Sequence, residues 1–157
     1  MGQTSEVWVD REIAAPAATV WRILTDLAGS PRHLSGLESV EVLTPGAFGV
    51  GTRWRETRRM FGKSATEEMW VTACEAPHRY VCEAENSGMH YVTEFRLTED
   101  APDRTTVRMT FGATPQHGEK LPLAVRLLGP LGTRAVRKAI TKDLDDVARA
   151  AESPTPS

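Results

Sequence analysis

Two stretches of this chain carry side chains that could do chemistry in an apolar setting. The first, "GTRWRETRRMFGKSATEEMW" at residues 51–70, reads as two strands joined by a tight turn at Phe61-Gly62. Pairing about that turn sets Trp54 opposite Met69, Thr52 opposite Val71 and Glu56 opposite Glu67, with Arg58 on the same face. The other face then holds Arg55 opposite Glu68 and Arg53 opposite Trp70. A slip of one residue would exchange the faces, so the whole reading depends on register. A carboxylate among bulky neighbours is costly unless paired, so Glu56 and Glu67 require Arg58, a proton, water or a ligand. Two carboxyls facing each other can share a proton, which raises one of them toward the range useful for acid–base catalysis. The same residues can instead form a hydrated ion-pair network near the open end of the sheet.

The second stretch, "YVCEAENSGMHYVTEFRL", is the clearest hairpin. A loop at Ser87-Gly88 sets Tyr80 opposite Phe95, Cys82 opposite Thr93 and Ala84 opposite Tyr91 on one face. The hydroxyls of Tyr80, Tyr91 and Thr93 suit a ligand carbonyl, or each finds a backbone partner within a core. Trp54, Met69, Val71, Phe95, Met109 and Phe111 supply bulk that either fills an interior or lines a hollow. Cys82 is the one nucleophile on that wall, and nothing around it in sequence lowers its pKa. His33, in "SPRHL", either gates a ligand or lies on a surface loop; His90 points outward by strand parity, and His78 and His117 fall in turns. There is no Ser/His/Asp order, phosphate loop, HExxH or grouped set of metal ligands, so neither a covalent nucleophile, a metal nor a cofactor is expected.

These residues need a scaffold, and the pattern supplies one. "EVWVDREIAA" alternates as a strand with Val7, Val9 and Ile13 as markers. Pro16 opens a helix at its first position, with Val20, Trp21, Leu24, Leu27 and Ala28 as the inward stripe, and a second helical turn covers Arg32 to Leu34. "LESVEV" and "TTVRMTFGA" read as further strands, the latter with Val107, Met109 and Phe111 on its apolar side. From Leu121 to about Glu152 the period is helical, interrupted at Gly129-Pro130 and Gly132, with Val136, Ile140, Leu144, Val147 and Ala151 facing inward. The expected class is α+β: about seven antiparallel strands curved around a long C-terminal helix, with two short helices after the first strand.

Composition sets the outer limits. The 157 residues suit one domain, expected over 1–152, with a frayed tail at 153–157. At 40% hydrophobic and 25% charged, the balance is that of a globular protein. No apolar run reaches bilayer length and no signal peptide is legible, so a cytoplasmic location without stable membrane insertion is expected. A net charge of −2 makes nucleic acid an unsuitable partner. Arg126, Arg134, Arg137, Lys138 and Lys142 cluster, but Asp143, Asp145 and Asp146 follow at once, and together these read as a solvated helix face. Cys74 and Cys82 read as buried thiols rather than a disulfide. The state is expected to be monomer or homodimer.

"IAAPAATVWRILTDLAGSPRHLSGLESVEVL", "GVGTRWRE", "VTACEAPHRYVCE" and the long last helix together resemble the START-like polyketide cyclase/dehydrase superfamily, also called SRPBCC, over nearly the whole chain. The resemblance implies a helix-grip fold with a cavity between sheet and final helix. Where many relatives have a tryptophan soon after the first helix, this chain has His33. Three functions follow as alternatives. One is a binder of a small hydrophobic or aromatic, polyketide- or lipid-like molecule. A second is a cyclase, aromatase or dehydratase in which Glu56 or Glu67 moves protons, Arg58 holds an enolate or carbonyl oxygen and Tyr91 donates to oxygen. The third is a stress-related or co-chaperone-like module acting through its surface.

Overall fold

Alternating side chains and two hairpin glycines build most of this molecule. The computed structural model describes residues 5–60, 62–86, 88–116 and 130–153. Strand β1 (Ser5–Ile13) leads into two short helices, α1 (Ala17–Thr25) and α2 (Ser30–His33). Strands β2 (Leu37–Val42), β3 (Arg53–Met60), β4 (Lys63–Glu75), β5 (Arg79–Asn86), β6 (Met89–Ala101) and β7 (Arg104–Pro115) follow, and helix α3 (Pro130–Glu152) completes the order. The strands form one antiparallel sheet in the order β1-β7-β6-β5-β4-β3-β2. The chain thus returns its last strand beside its first, and α1 and α2 carry it from one edge of the sheet to the other.

The expected registers hold. Trp54 pairs with Met69, Glu56 with Glu67 and Arg55 with Glu68 across β3 and β4. Tyr80 pairs with Phe95, Cys82 with Thr93 and Ala84 with Tyr91 across β5 and β6. Phe61 and Ser87 lie outside the described residues, but Gly62 and Gly88, which follow them, each have φ of 77°, a conformation that favours glycine in tight hairpin turns. Between Val71 and Ala73 the pairing of β4 with β5 shifts by one residue. Such a bulge bends and twists a strand. It also changes the strand's parity, so that Val71 pairs with Cys82 and Cys74 with Tyr80.

The core lies between the concave face of the sheet and α3. Val7, Ile13, Val20, Leu24, Trp54, Val71, Tyr80, Leu97 and Val107 meet Ile140, Leu144, Val147, Ala148 and Ala151 there. The inward stripe read for α3 is therefore correct, with Val136 half-buried at its start. Thr105 is fully buried and donates its hydroxyl to the Ala15 carbonyl at 2.8 Å, which secures the turn out of β1.

Five expectations change. Pro16 is the N-cap of α1 rather than its first residue; its backbone is extended, with φ −62° and ψ 150°, and its carbonyl accepts the amides of Thr19 and Val20. Ala28 is exposed, because α1 ends at Thr25 and Ala28 falls in the turn beyond it. Cys74 is half-buried, whereas Cys82 is buried as expected. Asp143 and Asp146 are not on a solvated helix face. Both are buried, because they share the face of Ile140, Leu144 and Val147 and each has a partner there. The interruption expected at Gly132 is absent, since α3 runs unbroken from Pro130 through Gly132. His117, the helical pattern over 121–129 with Arg126, its interruption at Gly129 and the last residues of the tail lie outside the described residues.

Asp146 ties α3 to the turn after α2. Its Oδ2 accepts the Ser35 amide at 2.9 Å and the Ser35 hydroxyl at 2.8 Å, and its Oδ1 accepts Arg149 at 3.1 Å. Burial pushes this carboxyl upward, but the two Ser35 donors and the Arg149 charge outweigh burial and hold it below the usual carboxylate range. A carboxyl lowered by folding stabilises the native state above its unfolded pKa, and that contribution disappears as pH falls through the folded value. Asp146→Ala should cost about 1.5–3 kcal/mol at neutral pH, as for other hydrogen bonds to charged groups. In urea titrations its deficit relative to the parent should shrink on acidification below about pH 4. A deficit that stays constant through the acid range would contradict this account.

Candidate functional site

Strand periodicity places Trp54, Glu56 and Arg58 on the concave face of β3, and each holds the next. The Trp54 indole Nε1 donates to Glu56 Oε2 at 3.1 Å, and Arg58 Nε donates to Glu56 Oε1 at 3.0 Å. The other arm of the guanidinium, Nη1, reaches Asp143 Oδ2 on α3 at 2.9 Å. Arg58 therefore bridges the sheet to the helix that crosses beneath it. Side-chain exposure is 14% for Glu56, 25% for Arg58 and 13% for Asp143, so the group is largely removed from water but not sealed from it.

The charges are unequal, with one guanidinium between two carboxylates. Burial lowers the arginine's pKa, but Asp143 and Glu56 together raise it above its ordinary value, so Arg58 stays cationic. At Asp143 burial dominates and raises the carboxyl above the usual range against the pull of Arg58, with Glu56 and Asp146 adding repulsion. Glu67, across the strand pair from Glu56, accepts from Asn86 Nδ2 at 3.2 Å. The two glutamates are thus fixed by different partners. Arg58 thus pairs with Glu56 and Asp143, whereas Glu67, the third residue of the expected network, is held by Asn86 instead.

An aromatic wall adjoins these charges. Tyr80 stacks on Phe95 with ring centroids 4.9 Å apart, and Tyr91 stacks on Phe111 at 5.6 Å. Tyr80 is also met edge-on by Trp21 from α1 at 5.7 Å and by Phe48 from the β2–β3 connection at 4.9 Å. Burial raises the Tyr80 hydroxyl well above its ordinary pKa, and raises Tyr91 with Glu67 assisting, so both phenols remain protonated donors. Burial likewise raises the Cys82 thiol far above the normal range, which leaves it inert as a nucleophile.

The remaining sequence-derived residues divide by accessibility. Trp54, Val71, Tyr80, Cys82, Thr93 and Met109 are buried in the wall itself. Met69, Tyr91, Phe95 and Phe111 stay partly accessible on the same face. His33 is half-buried at the end of α2, and none of the described hydrogen bonds or ion pairs joins it to the other site residues. Among the described residues no His, Cys, Asp and Glu group is arranged to hold a metal ion.

The family model described as "Polyketide cyclase / dehydrase and lipid transport" matches residues 4–152. The chain belongs to this family. Solved structures agree on the helix-grip architecture. The Zhui aromatase/cyclase from Streptomyces sp. R1128 superposes with a TM-score of 0.79 at 22% identity, covering 96% of this chain and 94% of that one. Protein TTHA0849 from Thermus thermophilus gives 0.76 at 22% identity over 93% and 96%. Norcoclaurine synthase from Thalictrum flavum gives 0.74 at 17% identity over 98% and 97%. At these identities the likeness carries the fold alone. No curated protein is significantly similar in sequence.

Sequence reasoning missed three residues. Asp143 was legible in principle, since it lies three residues after Ile140 and four before Val147, on the inward face. Trp21 was read as core without its link to Tyr80. Phe48 stands in a Gly- and Pro-rich connection that gives no periodic signal, and only the folded loop brings it to the wall.

Replacing Arg58 by methionine would keep its bulk and strand Glu56 and Asp143 without their shared cation. Such a buried pair broken on one side typically costs about 3–5 kcal/mol. Partial access to water should place Arg58→Met near the lower end of that range at neutral pH. A carboxyl raised by folding favours the native state below its unfolded pKa and loses that contribution as pH rises, so the penalty should ease in acid. Denaturation midpoints compared across pH give the test, and a penalty that grows in acid would be inconsistent with this network.

Proposed function

We propose that this chain binds a small hydrophobic or aromatic, polyketide- or lipid-like molecule between the concave sheet face and α3. The observation that carries this reading is the partly accessible apolar surface of Met69, Phe95, Phe111 and Tyr91 beside a fixed guanidinium. An interior meant only for packing would bury these rings, whereas a ligand site typically sets a few polar groups in an apolar lining. In this reading Arg58 and the Tyr91 hydroxyl orient a carbonyl or phenol oxygen, and Trp54, Val71, Tyr80, Cys82, Thr93 and Met109 form the supporting wall. His33 contributes at the entrance. The family's description, which joins cyclase, dehydrase and lipid-transport members, supports the ligand class.

A second reading is a cyclase, aromatase or dehydratase acting on a poly-β-ketone. It is favoured by one feature: two hydrogen-bond donors that keep their protons, Arg58 and Tyr91, share a face with carboxylates that differ in burial and partners. Arg58 would stabilise a developing enolate, Tyr91 would donate to a carbonyl oxygen, and Glu56 or Glu67 would relay the proton.

Native mass spectrometry of protein purified gently from its source should reveal an added small-molecule mass. Tyr91→Phe should weaken retention of that molecule about three- to tenfold, the usual worth of one hydrogen bond. Glu56→Gln and Glu67→Gln distinguish the readings: a carrier keeps its ligand and has no turnover to lose, while an enzyme binds and converts slowly. Protein that carries no added mass and, once stripped, takes up no hydrophobic aromatic probe would refute both.

A further inference from the structure

The basic cluster noted in the sequence is not accounted for by the concave site. Arg134, Lys138 and Lys142 stand four residues apart along α3, on one exposed row. They line a groove of about 630 Å³ that runs along the helix to Ser35. Arg137 and Arg149 join them, giving five cations against Asp145 and Asp146 in the lining. Both carboxylates are already engaged, Asp145 with Arg11 at 3.0 Å and Asp146 with Arg149 and Ser35. Arg137 donates to the Trp8 carbonyl at 3.0 Å. Among the described residues, Arg134, Lys138 and Lys142 have no hydrogen-bond or ion-pair partner.

Such a row is not what a helix needs for its own stability. Like charges at i and i+4 each disfavour a helix by about 0.2–0.5 kcal/mol, and this row contains two such steps. A helix selected only for solubility would interleave glutamates and gain by about the same amount. The surrounding molecule has a net charge of −2, so the row is a local reversal of sign rather than part of a generally basic surface.

We infer that this groove docks an acidic segment of a partner protein. From Arg134 to Lys142 the row extends about 12 Å along the axis at 1.5 Å per residue, too long for one small anion to neutralise. It matches an extended or helical run of glutamates and aspartates. A bilayer surface is a poorer match, since membrane-binding helices interleave bulky apolar side chains with the basic ones. The groove has none in its lining. Nucleic acid is disfavoured because the lining offers no aromatic ring on which a base could stack.

The test uses the intact chain and a fluorescein-labelled oligoglutamate as probe, read by anisotropy, with residue-level mapping by amide NMR. Binding should shift resonances within 134–149 and weaken several-fold as salt rises and the Debye length falls from about 30 Å at 0.01 M to about 8 Å at 0.15 M. Lys138→Glu with Lys142→Glu should weaken binding at least about tenfold, as charge reversal at a complementary surface does. Arg96→Glu, a charge reversal on the opposite, convex face of the sheet, should have little effect. All three positions are exposed, and far-ultraviolet circular dichroism should confirm that the variants fold. Three results would overturn the inference: no binding at low salt, an affinity that the double variant leaves unchanged, or tighter binding to phosphatidylserine vesicles or a single-stranded oligonucleotide than to oligoglutamate.

Discussion

The Arg58 guanidinium joins the two layers of this fold by charge from within the site. The core around it is apolar contact, which is strong but non-directional. A guanidinium held at two ends by carboxylates from different layers fixes how the helix is turned about its axis, because Asp143 must face β3. That orientation brings Ile140, Leu144 and Val147 inward and leaves the row of Arg134, Lys138 and Lys142 outside. Burying this ion network is expensive compared with packing hydrocarbon in the same space. Its presence therefore fits a protein in which polar groups at the sheet face have a task beyond holding the layers together.

Most of the fold could be read from the residues because the patterns were local and repeated. Hairpin register followed from the alternation of large side chains about Gly62 and Gly88, and both strand pairs obey it residue for residue. The final helix announced itself through Ile140, Leu144, Val147 and Ala151. The site was less legible where its members are distant in sequence. Glu56, Arg58 and Trp54 were found through strand parity, but Asp143, separated from Arg58 by most of the sheet, was read as solvated because it sits in a charged run. Charge composition over a short window cannot tell an exposed aspartate from one that has met a cation elsewhere in the chain. Spacing from the apolar stripe was the better indicator, and it was outweighed.

The two tyrosines illustrate the division of labour on the sheet. Tyr80 is enclosed by Trp21, Phe48 and Phe95 and forms part of the framework. Tyr91, stacked on Phe111, keeps part of its surface accessible. Residue type alone offers both hydroxyls to a ligand carbonyl, whereas burial separates them.

Phe48 reaches Tyr80 from a connection whose backbone turns at Gly46 and Gly51, with φ of 94° and 93°, and at neither glycine would an added Cβ meet a neighbouring atom. Its loop is anchored at its base, where the Gly51 amide donates to the Val71 carbonyl at 2.9 Å. The segment bearing this ring is thus fastened to the sheet at both ends, the other through the Leu43 amide on the Arg53 carbonyl at 2.8 Å, and has open space at its turns. Descendants of this sequence could lengthen, shorten or re-aim that tip without disturbing a single ladder bond, so the outline of the aromatic wall can diverge here while the scaffold is inherited intact.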